Sequence, residues 1–335
     1  MIARLRRWAA LVILVALTAC AAAPPPHDGA PTTPKLTADA FVADDGVRLP
    51  LRAWLPAGRV EAVVLALHGF NDYSNAFAGP GAAWAAEGIA TYAYDQRGFG
   101  AAPDRGFWVG TERLDADLAE ASRLLRARYP GVPLYLLGES MGGAVVITGM
   151  TDAVGAPRPT ADGIILVAPA VWGRATMNFF ERTSLWLADT LFPGLTLTGQ
   201  GLGVMASDNI PMLRALGRDP LIIKATRVAT LEGLVDLMSQ ALAAAPRLKA
   251  PMLLLYGEHD ELIPARAIRR MIAHLPPAAA DARRIAWYPQ GYHMLLRDLD
   301  APLVMKDVAA WIADRATPLP SGADRRVAAL MAARR

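Results

Sequence analysis

The sequence predicts an α/β fold: a mostly parallel central sheet with helices on both faces, interrupted by a mainly helical insertion. Three observations carry that prediction. Short runs that are apolar throughout alternate with helix-like patterns, as expected of strands covered on both faces. This rhythm stops over residues 171–226 and then resumes. The chain has 335 residues, 53% of them hydrophobic and 19% charged, which is enough to bury a large core.

Taken in chain order, residues 1–19 have a basic start (Arg4, Arg6, Arg7), a short apolar stretch and then small residues, the pattern of a secretory signal too short for a membrane span. Leu17-Thr18-Ala19-Cys20 resembles the bacterial lipobox, in which the leader is cleaved before a cysteine that becomes lipidated. That resemblance implies a lipid anchor on Cys20 and a place in the bacterial cell envelope. Ala21 after the cysteine favours the periplasmic side of the outer membrane over the inner membrane. An ordinary signal peptide followed by a chance cysteine is the competing reading. Cys20 is the sole cysteine, so disulfides within the chain are excluded. Residues 20–37 are rich in Ala and Pro and lack an apolar period, which suits a semi-extended tether. Of 34 basic residues three lie in the leader, leaving 31 against 31 acidic ones, so a nucleic-acid partner is not implied.

The domain core is expected over residues 38–170 and 227–317. Asp44-Asp45-Gly46 separates two β-like runs and reads as an opening antiparallel hairpin. Residues 62–67 (AVVLAL) and 89–94 (IATYAY) are short apolar strands with a helix between them at 77–87. Thr111 is placed to N-cap a helix with Leu114, Leu118, Leu124 and Leu125 at helical spacing, stopped by Tyr129-Pro130-Gly131. A strand at 134–137, a helix at 141–150 and a strand at 163–167 follow. The insertion, residues 171–226, holds no clear sheet strand but is dense in Phe, Trp and Leu. Beyond it come a strand at 252–256, a helix at 268–274, a strand at 284–288 and a helix near 303–312. Residues 318–335 read as a surface extension or a frayed helix.

Gly138-Glu139-Ser140-Met141-Gly142 fits G-x-S-x-G between an apolar strand and a helix. The glycines permit a sharp turn that lifts the Ser140 hydroxyl out of the sheet. A serine needs a base, and the base an orienting acid. Asp260 follows the penultimate strand in Gly257-Glu258-His259-Asp260, and His293 follows the last one in Gln290-Gly291-Tyr292-His293. The order Ser, Asp, His is that of α/β-hydrolases, with both residues at strand C-terminal ends. Ser140 is expected to be the nucleophile, His293 the base and Asp260 its orienting acid, with the backbone N–H groups of Phe70 and Met141 as the oxyanion hole.

The rivals are weaker. His259 should point away from the site, His274 ends a helix, His27 lies in the tether, and His68 more readily shapes the oxyanion loop. Glu261 is an alternative to Asp260. Asp95 and Arg97 are expected to form a structural turn, and Glu139 a polar contact behind the elbow. No cofactor is implied, and no metal-ligand spacing occurs.

Residues 68–74 (HGFNDYS), the turn 95–100, the segment 138–143, the loop 257–260 and Gly291-Tyr292-His293 together resemble the monoacylglycerol lipase and lysophospholipase group, a serine aminopeptidase-like family. The resemblance spans roughly residues 40–315. It implies that the insertion is a cap over the nucleophile, and that the substrate is a lipid-like carboxylic ester such as a monoacylglycerol or lysophospholipid. Phe70 departs from the pattern, since relatives often carry a smaller residue there. Two alternatives stand beside this reading. One is an aminopeptidase, thioesterase or carbon–carbon hydrolase on the same fold; a peptidase would need cap acids such as Glu181, Asp189, Asp208 or Asp219. The other is a non-catalytic lipid-binding envelope lipoprotein.

Overall fold

The computed structural model describes residues 31–151, 157–199, 201, 203–277 and 282–332. The expected leader, the lipidation site Cys20 and the first part of the tether lie outside the described residues.

Among the described residues nine strands form one sheet in the order β1-β2-β3-β5-β4-β6-β7-β10-β11. Strands β1 (Lys35–Leu36), β2 (Ala40–Val42) and β3 (Arg48–Trp54) are the antiparallel edge, with Phe41 opposite Leu49 across the turn at Asp44-Asp45-Gly46. Strand β3 then pairs antiparallel with β5 (Ile89–Tyr94). From there β4 (Ala62–Leu67), β6 (Leu134–Glu139), β7 (Gly163–Val167), β10 (Met252–Gly257) and β11 (Arg283–Tyr288) are all parallel. Every residue of β4, β5, β6, β7 and β10 is buried, which is why these segments are apolar without alternation. Each fully buried Val, Leu or Ile contributes about 1.5–3 kcal/mol of transfer free energy.

Two helical layers bury the faces. Helices α2 (Thr111–Arg128), α3 (Met141–Met150), α6 (Val228–Ala244) and α7 (Ala265–His274) supply Leu118, Val146, Leu237 and Ile268 to one core. Helices α1 (Ala78–Ala86), α8 (Ala301–Ala313) and α9 (Ala323–Ala332) supply Trp84, Trp311 and Ala323 to the other.

The structure departs from the sequence expectations in four places. The sheet begins inside the expected tether, because Lys35 and Leu36 pair with Val42 and Phe41 and the N–H of Thr32 donates to Asp44 O. The insertion contains, besides α4 (Phe179–Leu191) and α5 (Ile210–Arg218), a two-stranded antiparallel ribbon of β8 (Thr196–Thr198) and β9 (Ala225–Arg227). Gly110, with φ 89°, sits at the N-cap of α2, so Thr111 is its first helical residue and makes no side-chain cap bond. In the tail, expected as a surface extension or a frayed helix, a helix forms, α9, and its start is docked: Leu319 and Ala323 are buried, and Asp324 accepts from Arg284 on β11 at 2.8 Å.

Candidate active site

The strand-to-helix turn between β6 and α3 sets the geometry of Ser140. Its backbone lies in the left-handed region, φ 53° and ψ −115°, which costs a non-glycine residue free energy and persists only where surrounding contacts enforce it. The enforcing contacts are the Ser140 N–H to Val167 O at 2.9 Å and the Ala170 N–H to Ser140 O at 2.9 Å. Close packing explains the glycines. A Cβ on Gly142 would lie 2.2 Å from Leu67 O, and one on Gly138 would lie 2.3 Å from Gly142 O. Helix α3 therefore starts pressed against the end of β4, with Met141 at its first turn.

The loop after β4 runs directly beside this turn: a Cβ on Gly69 would sit 3.4 Å from Ser140 Cβ. Among the described residues neither the Phe70 N–H nor the Met141 N–H has a hydrogen-bond partner. The Phe70 ring packs edge-on against Phe99, centroids 5.5 Å apart, and is partly buried.

Asp260 and His293 meet at the C-terminal ends of β10 and β11. His293 Nδ1 bonds Asp260 Oδ2 at 2.8 Å, and Asp260 Oδ1 accepts the N–H groups of Leu262 and Ile263, each at 2.8 Å. Both carboxylate oxygens are thus fixed, and Nδ1 carries the proton that it donates. The two loops interlock, since a Cβ on Gly257 would meet Gly291 O and Tyr292 O at 2.4 Å. Burial disfavours the charged imidazole, but the charge and hydrogen bond of Asp260 outweigh it. Glu139 adds to them and Arg297 opposes them, so the His293 pKa is raised above the ordinary histidine value. Among the described residues no hydrogen bond joins Ser140 Oγ to the imidazole.

The rivals are engaged elsewhere. Glu261 accepts from the Met205 N–H at 2.7 Å, away from His293. His259 is exposed and stacks on Tyr292, and His274 bonds Arg270 O within α7. His68 is fully buried: its Nδ1–H donates to Gly69 O at 2.8 Å, and its Nε2 accepts from the Gln96 N–H at 2.9 Å. Burial lowers its pKa, so it is a neutral brace between the loop after β4 and the turn after β5. His27 lies outside the described residues. In that turn Asp95 accepts from the Ser74 N–H and hydroxyl and from the Ala101 N–H, while Arg97 bridges Asp45 and Asp117. Among the described residues no cluster of three or more His, Cys, Asp or Glu side chains could hold a metal ion.

Behind the elbow lies an ion cluster whose membership the sequence did not reveal. The Arg297 guanidinium donates to Asp72 at 2.6 Å and to Glu139 at 3.2 Å, all three side chains being nearly buried. It ties together the loop after β4, the residue preceding Ser140 and the loop that follows His293. Burial pushes the Glu139 carboxyl up despite the arginine. The available signal was a single cation within the otherwise apolar run Met294-Leu295-Leu296-Arg297.

Three of the four cap acids already have partners. Glu181 completes a capping box with Asn178, Asp208 accepts the Leu299 N–H, and Asp219 accepts the Tyr73 hydroxyl. The Asp189 pKa is raised, by burial first and then by the nearby Asp236 charge. The cap's aromatic stretch is not internal packing: α4 has no buried residue, and Phe179 and Phe180 are 73% and 79% exposed. A separate apolar groove of about 810 Å³ between α1 and α8 is lined by Ala62, Ile89 and Pro133. These residues mark the N-terminal ends of β4, β5 and β6, the sheet edge opposite Ser140.

Comparison with known proteins agrees with this fold. The family model described as serine aminopeptidase, S33, matches residues 58–300. The monoglyceride lipase of Mus musculus is 26% identical over 288 residues, covering 84% of this chain and 92% of that protein. The monoacylglycerol lipase of Mycolicibacterium smegmatis is 27% identical over 285 residues, covering 81% and 95%. Among solved structures, a soluble variant of monoglyceride lipase from Saccharomyces cerevisiae in complex with a substrate analog superposes with TM-score 0.67. It is 21% identical and covers 88% of this chain and 100% of that one. The likeness to that structure speaks for the fold alone.

Proposed function

The chain belongs to the serine aminopeptidase, S33 family, and on that premise we propose that it is a serine carboxylic-ester hydrolase acting on lipid-like esters such as monoacylglycerols or lysophospholipids. The observation that carries this reading is the hydrogen bond from His293 Nδ1 to Asp260, which leaves Nε2 as a free base in loops that flank the left-handed turn at Ser140. Ser140 Oγ attacks the ester carbonyl while His293 Nε2 takes its proton. The oxyanion is stabilised by the N–H groups of Met141, at the positive end of α3, and of Phe70. Collapse of the intermediate expels the alcohol, which receives the proton from His293. Water, activated by the same imidazole, then releases the acid and restores Ser140. Asp260 holds the tautomer and offsets the imidazolium charge.

The names of the relatives and the apolar surface of α4 support a lipid-like substrate: Phe179, Phe180 and Trp186 are exposed on the cap. A lipid anchor at Cys20 would place the enzyme beside such substrates. The peptidase reading lacks a comparable observation, because Glu181, Asp208 and Asp219 already have partners.

The test is an initial-rate panel of p-nitrophenyl esters from acetate to palmitate, monoacylglycerol, lysophosphatidylcholine and an aminoacyl anilide, with Ser140→Ala alongside. Ester turnover that rises with acyl length and falls by on the order of 10⁵-fold in the variant is expected. Turnover of the anilide alone would move the protein to the peptidases. Loss of both turnover and fluorophosphonate labelling would favour the lipid-binding alternative.

A further inference from the structure

Helix α5 buries none of its residues, so no core beneath it holds it in place. Its two flanks hold it instead, and they attach to different parts of the site. On the N-terminal side, Met294 N–H donates to Ala206 O at 3.0 Å, Asn209 Nδ2 to Arg297 O at 2.9 Å, and Leu299 N–H to Asp208 Oδ1 at 2.9 Å. The Met205 N–H reaches Glu261 at 2.7 Å. All four bonds land on the loops that carry Asp260 and His293. On the C-terminal side, Ile223 N–H donates to Asn71 O at 3.0 Å, Asn71 Nδ2 to Thr226 Oγ1 at 2.7 Å, and Tyr73 Oη to Asp219 Oδ2 at 2.7 Å. These three land on the loop that carries Phe70. Burial and the hydrogen bond to Asp219 push the Tyr73 hydroxyl up to about 12, so it remains a donor at neutral pH.

We infer that residues 205–226 act as a strut that sets the spacing between the base loop and the oxyanion loop, with Asp208, Asn209, Asp219 and Thr226 of the cap and Asn71 and Tyr73 of the core as positioning residues. The inference rests on the proposed roles of Ser140, His293 and the Phe70 N–H. A nine-residue α-helix is a rod of about 14 Å. Bonded at both ends, it fixes the distance between two loops that come from opposite ends of the core sequence. The chemistry needs this, because the imidazole and the oxyanion donors must address the same tetrahedral carbon, and a misplacement of about 1 Å can cost on the order of 10²-fold in rate.

A strut differs from simple glue in a measurable way: cutting either end releases the same constraint, so cutting the second adds nothing. The oxyanion end is cut by Tyr73→Phe with Thr226→Val. The base end is cut at its three side-chain bonds by Asp208→Ala, Asn209→Ser and Glu261→Ala, where the serine can still cap α5 but is too short to reach Arg297 O. Thr226→Ser keeps the acceptor for Asn71 and serves as the conservative control. The readouts are the rate constant for fluorophosphonate labelling of Ser140 and kcat and KM on a short soluble ester, with thermal melts confirming folding. Each cut is expected to lower labelling and kcat about tenfold with KM nearly unchanged, the combined variant to be no slower than the weaker single one, and Thr226→Ser to retain the wild-type rate. Effects that multiply to about 100-fold, or single cuts without effect, would overturn the strut alone. Wild-type protein that fails to label at Ser140 would overturn the nucleophile assignment, and the strut with it.

Discussion

Replacing Arg297 with leucine should expose how strongly the ion cluster behind the elbow is held. The side chains of Arg297, Asp72 and Glu139 are only 11%, 7% and 3% exposed, so solvent screening does little for a carboxylate that loses its partner. Removing one member of a buried ion cluster costs about 3–5 kcal/mol, against about 0–1 kcal/mol for a surface pair. The cost should also depend on pH. Burial already raises Glu139 in the wild type, and without the guanidinium it rises further. A group whose folded pKa is raised contributes stability below its unfolded pKa and loses it as pH climbs through the folded value. Arg297→Leu should therefore be least destabilising near about pH 5 and most destabilising near about pH 8. Urea unfolding followed by tryptophan fluorescence at the two pH values measures this. Adding Glu139→Gln removes the titrating carboxyl and should flatten the difference. A cost below about 1 kcal/mol that does not vary with pH would refute the buried cluster.

Three further outcomes follow from the site. Asp260→Asn should lower kcat by on the order of 10⁴-fold. The same change removes the charge that raises the His293 pKa, so the acid limb of kcat/KM, which in the wild type lies above the ordinary histidine value, should move to lower pH; an unmoved limb would mean that another group controls it. Gly142→Ala should abolish activity and cost on the order of 3 kcal/mol, because its Cβ would collide with Leu67 O, a backbone atom that cannot swing aside. Gly149→Ala, on the same helix, meets nothing closer than 3.4 Å and should stabilise by about 0.5–1 kcal/mol in a thermal melt.

How much of this was legible in the sequence depended on the range of the forces involved. The core strands were readable because burial on both faces leaves a local mark: β4 is apolar at every position and β5 at every position but Thr91. The elbow was readable because Gly138 and Gly142 answer to steric demands within a few residues. Strand β1 was not, since two residues carry no period and its pairing was decided by Phe41 and Val42. The docking of α9 was not, because what orders its start is a distant bond from Arg284 and the burial of Leu319 and Ala323. The ion cluster joins positions 72, 139 and 297, and nothing near any one of them announces the other two.

The cap shows the same limit in a sharper form. An apolar stripe on a helix normally finds a core. Helix α4 instead turns that stripe outward, so composition alone could not distinguish a roof from a surface. The half that follows is different in kind, joined to the core loops by directional hydrogen bonds from backbone and short polar side chains. An apolar surface can slide and adapt, whereas seven hydrogen bonds of defined geometry at the ends of a short helix cannot. One insertion thus combines an exposed apolar half with a half fastened by hydrogen bonds to the loops that carry Asp260, His293 and Phe70. On this argument, substitutions on the outer face of α4 should change which esters reach Ser140, and substitutions at the ends of α5 should change how fast a bound ester reacts.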